Sequence, residues 1–303
     1  KTDTQRRIMI NSIGPVWDGN EVWLVTGGGA LFAAFPEVYA TAFSGFYMAF
    51  MLLLFSLIFR AVAIEFRSKL PMRWWRNMWD VNFSLSSLIA GLLLGVALGN
   101  IAWGIPLDER GVFIGTFVGL LHPYALLTGV TTVALFMMHG SIYLHLKTEG
   151  DLQARVRTWI RPCMIFFVVS YALLTMATLI YVPRASAAVR EHPSLFIVVA
   201  LSILAIANIP REIFFQRAGR AFLSSSATVV LVMALFGLNT FPEMVHSNPM
   251  AENSLTAYNA SSSQKTLTIM FIIAAIGMPI VVAYTLSIYW VFRGKVTLTE
   301  SSY

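Results

Sequence analysis

Eight long apolar runs, separated by short polar links that collect arginine and lysine, restrict this chain more than any other feature. They lie near 8–33, 38–64, 81–104, 113–146 (chiefly its second part), 160–182, 194–209, 221–241 and 267–292. A helix needs roughly 20 mostly apolar residues to cross a hydrocarbon core of about 30 Å. Backbone polar groups in lipid must pair internally, which leaves helices or a closed barrel. Runs such as FYMAFMLLLFSLIF have no period-two alternation, so a barrel is excluded. The expected fold is all-α, a polytopic transmembrane bundle of about eight spans, with residues 1–303 forming one integral-membrane unit. The composition agrees: 57% hydrophobic and 12% charged, against roughly 25% charged in a soluble domain.

The basic residues set a direction. With eight spans both chain ends share a side, and 17 of the 21 Lys and Arg fall there. Only Arg110, Arg184, Arg190 and Lys265 fall opposite. The positive-inside rule then makes both ends cytoplasmic. The polar stretch 241–265 becomes an external loop. The net charge of +6 is read as this topology signal, because the cations form no single basic arm or face for nucleic acid. Cys163 is the only cysteine and can make no internal disulfide. The chain opens on Lys1, and KTDTQRR has no apolar signal core, so a preceding segment is expected.

The first run is the most polar. Its segment GPVWDGNEVW carries Asp18 and Glu21 between Trp17 and Trp23. Read as one helix from residue 8, it places Asp18 about 15 Å inside at 1.5 Å per residue. Asn11, Gly14, Asp18 and Glu21 then share one face. Pro15 has no N–H for the Asn11 carbonyl and is expected to kink the helix. The triplet Gly27–Gly28–Gly29 is expected to admit a close helix neighbour. Ionisable groups inside a span mark ion or proton routes by default; paired structural carboxyls are the competing reading. Among the five histidines, His139 and His145 stand six apart on one helix and face different ways. His122 is too far from either for a shared iron, and His192 and His246 lie in outer loops, so no axial haem pair is evident. No phosphate loop, metal-spaced cluster or nucleophile triad is present.

The order of residues in RRIMINSIGPVWDGNEVWLVTGGGALFAAFPEVYATAFSGFYMAFMLLLFSLIFRAVAIEFRSK, RWWRNMWD and NASSSQKTLTIM resembles subunit II of the cytochrome bd-type quinol oxidases. The resemblance runs through essentially the whole chain. It implies a heterodimeric oxidase of the bacterial cytoplasmic (inner) membrane that oxidises quinol, reduces dioxygen to water and draws protons from the cytoplasm. It implies that haems b and d (or b only) lie in subunit I and that subunit II holds none through its own ligands. A structural quinone, small accessory subunits and membrane lipids are further partners of such complexes. Residue by residue, Asp18 matches the family's proton-route aspartate, with Glu21 beside it. Trp17 matches a tryptophan next to a quinone, and Trp23 one at an oxygen-channel entrance. The family has nine spans, the first with a DGFD-like motif that this sequence does not contain. Two rival readings stand beside this one: a proton-coupled secondary transporter using Asp18 and Glu21, and a membrane anchor that holds a haem through His139. The transporter reading expects a second broken, polar span in a matching half, and none is evident.

Overall fold

The computed structural model of the chain describes residues 2–298 and is an up-and-down helical bundle. Its helices are α1 (Asp3–Asn11), α2 (Trp17–Ala34), α3 (Pro36–Gly45), α4 (Tyr47–Phe66), α5 (Arg73–Trp103), α6 (Pro123–Lys147), α7 (Gly150–Tyr181), α8 (Ala187–Glu191), α9 (Phe196–Phe214), α10 (Ala218–Thr240) and α11 (Gln264–Val291). Among the described residues seven helices are long and apolar enough to cross a membrane: α4, α5, α6, α7, α9 with the turn before it, α10 and α11. The eighth, α2, has 18 residues, but Asp18, Asn20 and Glu21 lower its apolarity. Large side chains such as Ile197, Leu223, Ile280 and Leu286 are more than 60% exposed on the outside of the bundle, as lipid-facing residues should be.

Two expected spans are redrawn. The run 8–33 is two helices, because the chain leaves helical form over residues 12–16 around Pro15. The five-residue link is anchored at Ser12: its Oγ donates to the Met9 carbonyl at 2.6 Å, and Tyr143 of α6 donates to its carbonyl at 2.7 Å. The helix α1 is a separate short element, opened by a capping box in which Thr2 and Gln5 exchange hydrogen bonds. The run 38–64 likewise divides at Phe46. Its first part, α3, is 10 residues, about 15 Å, and too short to cross a membrane. Phe46 is itself buried, together with Val38, Ala42, Ile105, Leu107, Leu120, Val245 and Leu255, in a cluster at the end of the bundle away from most of the arginines.

The stretch 241–265 is less open than a simple loop. Strands β1 (Glu243–Val245) and β2 (Leu255–Thr256) pair antiparallel, and Ile105 bridges Ser247 in parallel. Ser262 then donates through N to the Ala34 carbonyl at 2.8 Å and through Oγ to the Ala33 carbonyl at 2.6 Å. These bonds satisfy carbonyls that the last turn of α2 leaves without helical donors.

The bundle centre is set by small residues. In α5, Gly91, Gly95 and Gly99 recur every fourth position and so share one face. A Cβ on Gly95 would stand 2.7 Å from the Gly129 Cα of α6, and one on Gly99 would stand 2.7 Å from the Ala125 Cα. Helices in lipid gain little from hydrophobic exclusion, so such close backbone contact supplies their attraction. The glycine triplet at 27–29, by contrast, admits no close helix backbone: a Cβ at Gly27 or Gly29 would meet nothing within 4 Å, and one at Gly28 would meet only the Phe43 ring at 3.7 Å. Beyond the seam, α6 packs on α7, and the α9–α10 hairpin packs back on α6 around Met138, Ile142, Phe167 and Ile209. Neither α2 nor α11 has a buried residue.

The charged end is held by a network around Arg67, 1% exposed. Its Nε donates to Asp80 at 2.6 Å and its Nη2 to Asp3 at 2.9 Å. Arg6 donates to Asp80 at 2.6 Å, and Arg76 to Asp3 at 3.0 Å. Burial opposes the charge on Arg67, and its bonds to Asp80 and Asp3 outweigh that, so its pKa lies above the ordinary arginine value. The network joins α1 to the end of α4 and the start of α5.

The α5–α6 seam carries a measurable expectation. Gly95→Leu should force the two backbones apart at a cost of about 1–3 kcal/mol. Thermal denaturation of the purified oxidase should show the loss, whereas Gly237→Leu, where a Cβ meets nothing within 4 Å, should change little.

Candidate functional site at the start of the second helix

The break at Pro15 decides where the carboxylates stand. Asp18 is in the first turn of α2, so it lies at the helix start and not ten residues into a continuous span. The four-residue stripe from Asn11 is accordingly interrupted, and only Asp18 and Glu21 remain on one helical face. Asp18 is exposed in this chain, with the favourable position that a helix N-terminus gives a negative charge. Among the described residues it makes no ion pair.

Glu21 is different. It forms an ion pair with Arg60 of α4, and both side chains are only about one-fifth exposed. The Arg60 guanidinium also lies 5.7 Å from the centre of the Phe83 ring of α5. One residue earlier, Asn20 Nδ2 donates to the Tyr289 hydroxyl of α11 at 3.1 Å. The polar start of α2 is thereby tied to α4 and α11.

Arg60 and Tyr289, which meet Glu21 and Asn20, are residues that the sequence pattern did not single out. Arg60 counts among the cations of the polar links there, but it sits within α4, six residues before that helix ends. The available signal was its place inside an apolar run, where a cation calls for a carboxylate. Tyr289 has no comparable signal, since its distance along the chain from Asn20 is 269 residues.

The two tryptophans do not gather at one point. Trp17 is partly buried at the first position of α2, whereas Trp23 is 40% exposed. At about 100° per residue, Trp23 lies roughly 140° around the helix from Asp18.

Three of the five histidines have structural partners. His139 Nδ1 lies 2.9 Å from Ser225 Oγ, and its ring stacks on Phe222. His122 accepts from the Ala125 amide at 3.4 Å and caps α6. His246 Nδ1 lies 2.8 Å from Glu243 Oε2, which Arg184 also approaches. Burial first, then Arg184, hold the His246 imidazole below its ordinary pKa against the pull of Glu243. Among the described residues no three His, Cys, Asp or Glu side chains gather where they could hold a metal ion.

Comparison with known proteins matches residues 1–292 to the family described as cytochrome bd terminal oxidase subunit II. The chain is 38% identical to the cytochrome bd-I ubiquinol oxidase subunit 2 of Escherichia coli K12, across 98% of this chain and 86% of that protein. It is 34% identical to the cytochrome bd ubiquinol oxidase subunit 2 of Bacillus subtilis 168, across 98% and 87%. In fold it is similar to a chain of the bd oxidase from Geobacillus thermodenitrificans, with a TM-score of 0.75 at 17% identity, covering 96% of this chain and 88% of that one.

The Glu21–Arg60 pair generates a double-mutant expectation. Arg60→Met leaves a half-buried carboxylate without its counter-charge and should lower the yield and melting temperature of the assembled oxidase. Glu21→Gln in the same chain should restore part of the loss, with a coupling of about 0.5–3 kcal/mol. Strict additivity of the two changes would show that the pair contributes nothing.

Proposed function

The chain belongs to the family of cytochrome bd terminal oxidase subunit II, and from that premise we propose how its residues serve the oxidase. The complex is a quinol:oxygen oxidoreductase of the bacterial membrane, and this chain is its second, multi-pass subunit. Haem belongs to the partner subunit I, where it supplies electron transfer to dioxygen. Family membership sets aside the transporter reading, and the pairing of His139 with Ser225 speaks against a haem anchor at that residue.

In our reading Asp18 takes up protons from the cytoplasm and passes them toward subunit I. One observation carries this: of the two carboxylates at the start of α2, Glu21 is compensated by Arg60, whereas Asp18 is exposed and without an ion-pair partner among the described residues. A relay needs a carboxyl open to proton donors and acceptors, and the Glu21 carboxylate is already engaged by the Arg60 guanidinium. Glu21 then serves beside the route, as one half of a fixed pair. The helix α2 has no buried residue in this chain, which suits it to pack against subunit I with Asp18 at the boundary. Trp17 adjoins Asp18 and is the residue assigned to a quinone neighbour; Trp23, on another side of α2, is assigned to an oxygen entrance. Partner haems of b and d type, a structural quinone and small accessory subunits complete the proposal.

The proton role has a direct test in the two-subunit enzyme. Asp18→Asn keeps the shape and removes the titrating group, so it should assemble with an unchanged haem spectrum and lose turnover on the order of a hundredfold. Asp18→Glu should retain more activity. Wild-type turnover in an assembled Asn variant would reduce Asp18 to a structural residue.

Orientation follows from the 17 of 21 basic residues on the side of both ends, which we assign to the cytoplasm. A reporter inserted between α4 and α5 should therefore read cytoplasmic, and one within 241–265 external. The reverse pattern would invert the proposed proton entry.

A further inference from the structure

Where the α1–α2 break, the end of α6 and the segment after α11 meet, the structure contains a cavity of about 510 Å³. Two lysines line it. Lys147, the last residue of α6, is 8% exposed. Its ammonium donates to the carbonyl of Phe292 and, at 3.3 Å, to that of Gly294. Lys295 reaches the other way and donates to the Leu146 carbonyl at 2.7 Å and the Thr148 carbonyl at 2.8 Å. Each lysine thus caps the chain end that carries the other, and the Val296 amide bonds the Lys147 carbonyl at 3.0 Å.

These bonds leave a charge surplus. An ammonium has three donors, and the carbonyls occupy two on each lysine. Carbonyls neutralise no net charge, and among the described residues neither lysine forms an ion pair with a carboxylate. Lys295 is exposed and is attracted by Glu149, so the unmet charge is that of Lys147, buried beside a second cation, which is unfavourable unless an anion joins them. A phosphate, with charge and several acceptor oxygens, suits two spare donors.

The surroundings distinguish the source of that phosphate. Pro15, Val16, Val291 and Phe292 make part of the cavity wall apolar, which a free ion would not use. At the same helix end Arg293 lies 4.3 Å above the Trp290 ring, an arrangement typical of the headgroup level. Basic pockets between membrane helices at this depth recognise lipid phosphates. We infer that this cavity binds the phosphate of an anionic phospholipid, with Lys147 and Lys295 as the recognising charges. The site is separate from Asp18, and its occupant would brace the junction of α1, α6 and α11.

Native mass spectrometry of the delipidated two-subunit oxidase tests this, with phosphatidylglycerol, phosphatidylcholine or inorganic phosphate added back. The wild type should retain one phosphatidylglycerol in preference to phosphatidylcholine. Lys295→Gln should weaken that retention roughly fivefold, the factor one basic side chain gives toward an anionic lipid. Thr297→Glu adds a negative charge at the cavity wall and keeps both lysines, so it should weaken retention as well. If Lys295→Gln alters the haem spectrum, Thr297→Glu decides the matter. Equal phosphatidylglycerol retention by the wild type and Thr297→Glu would overturn the inference. Inorganic phosphate that occupies the site and excludes the lipid would keep the anion site and overturn the lipid as its source.

Discussion

A charge at the centre of a lipid bilayer costs about 2.5–3.5 kcal/mol even on the most lenient scale, and the structure is organised around meeting that cost. Three buried or partly buried charges have defined partners. Glu21 is met by Arg60 across two helices, and Arg67 by Asp80 and Asp3. Lys147 is met by carbonyls of the segment after α11. These links also join elements far apart in the chain, so the same interactions that hold the charges fix which helices adjoin. Asp18, exposed at the start of α2, has no ion-pair partner among the described residues, and that contrast is the basis for proposing its role in proton transfer.

The bundle is held by different means at its two ends and its middle. In the middle, the glycine seam between α5 and α6 lets backbones approach until a Cβ would collide. At the end richest in arginine, salt bridges tie α1, α4 and α5. At the other end, an apolar cluster beneath the 241–265 stretch gathers α3 and the α5–α6 connection. That cluster is an interior of the soluble kind, with Ile105, Leu107 and Val245 each 1% exposed. It explains why part of the run 38–64 is not a membrane span: α3 is apolar because it covers this cluster.

The division of labour within the oxidase follows from the same distribution. The outer helices α2 and α11 have no fully buried residue within the chain, while α5 and α6 bury much of their small-residue faces. A subunit so arranged has a fixed centre and a peripheral face on which a partner can pack. The carboxylate proposed to handle protons stands on that peripheral face, and His139, His122 and His246 are committed to Ser225, to a helix cap and to Glu243 inside the chain.

The sequence by itself determined the all-helical membrane fold, the distribution of its basic residues and the polarity of the segment around Asp18. Apolar length and loop charge are local quantities, and the energy of lipid insertion depends on them almost residue by residue. Tertiary structure alone decided that Pro15 separates two helices, that Glu21 rather than Asp18 has the arginine, and that Gly91, Gly95 and Gly99 rather than the 27–29 triplet make the close contact. A proline permits either a kink or a break, and Tyr143 of α6, holding the Ser12 carbonyl, supports the break. A glycine permits close approach, but only a helix delivered to that face makes one. Arg60 meets Glu21 from 39 residues away, a pairing that depends on where α4 returns beside α2, and no local pattern records that return.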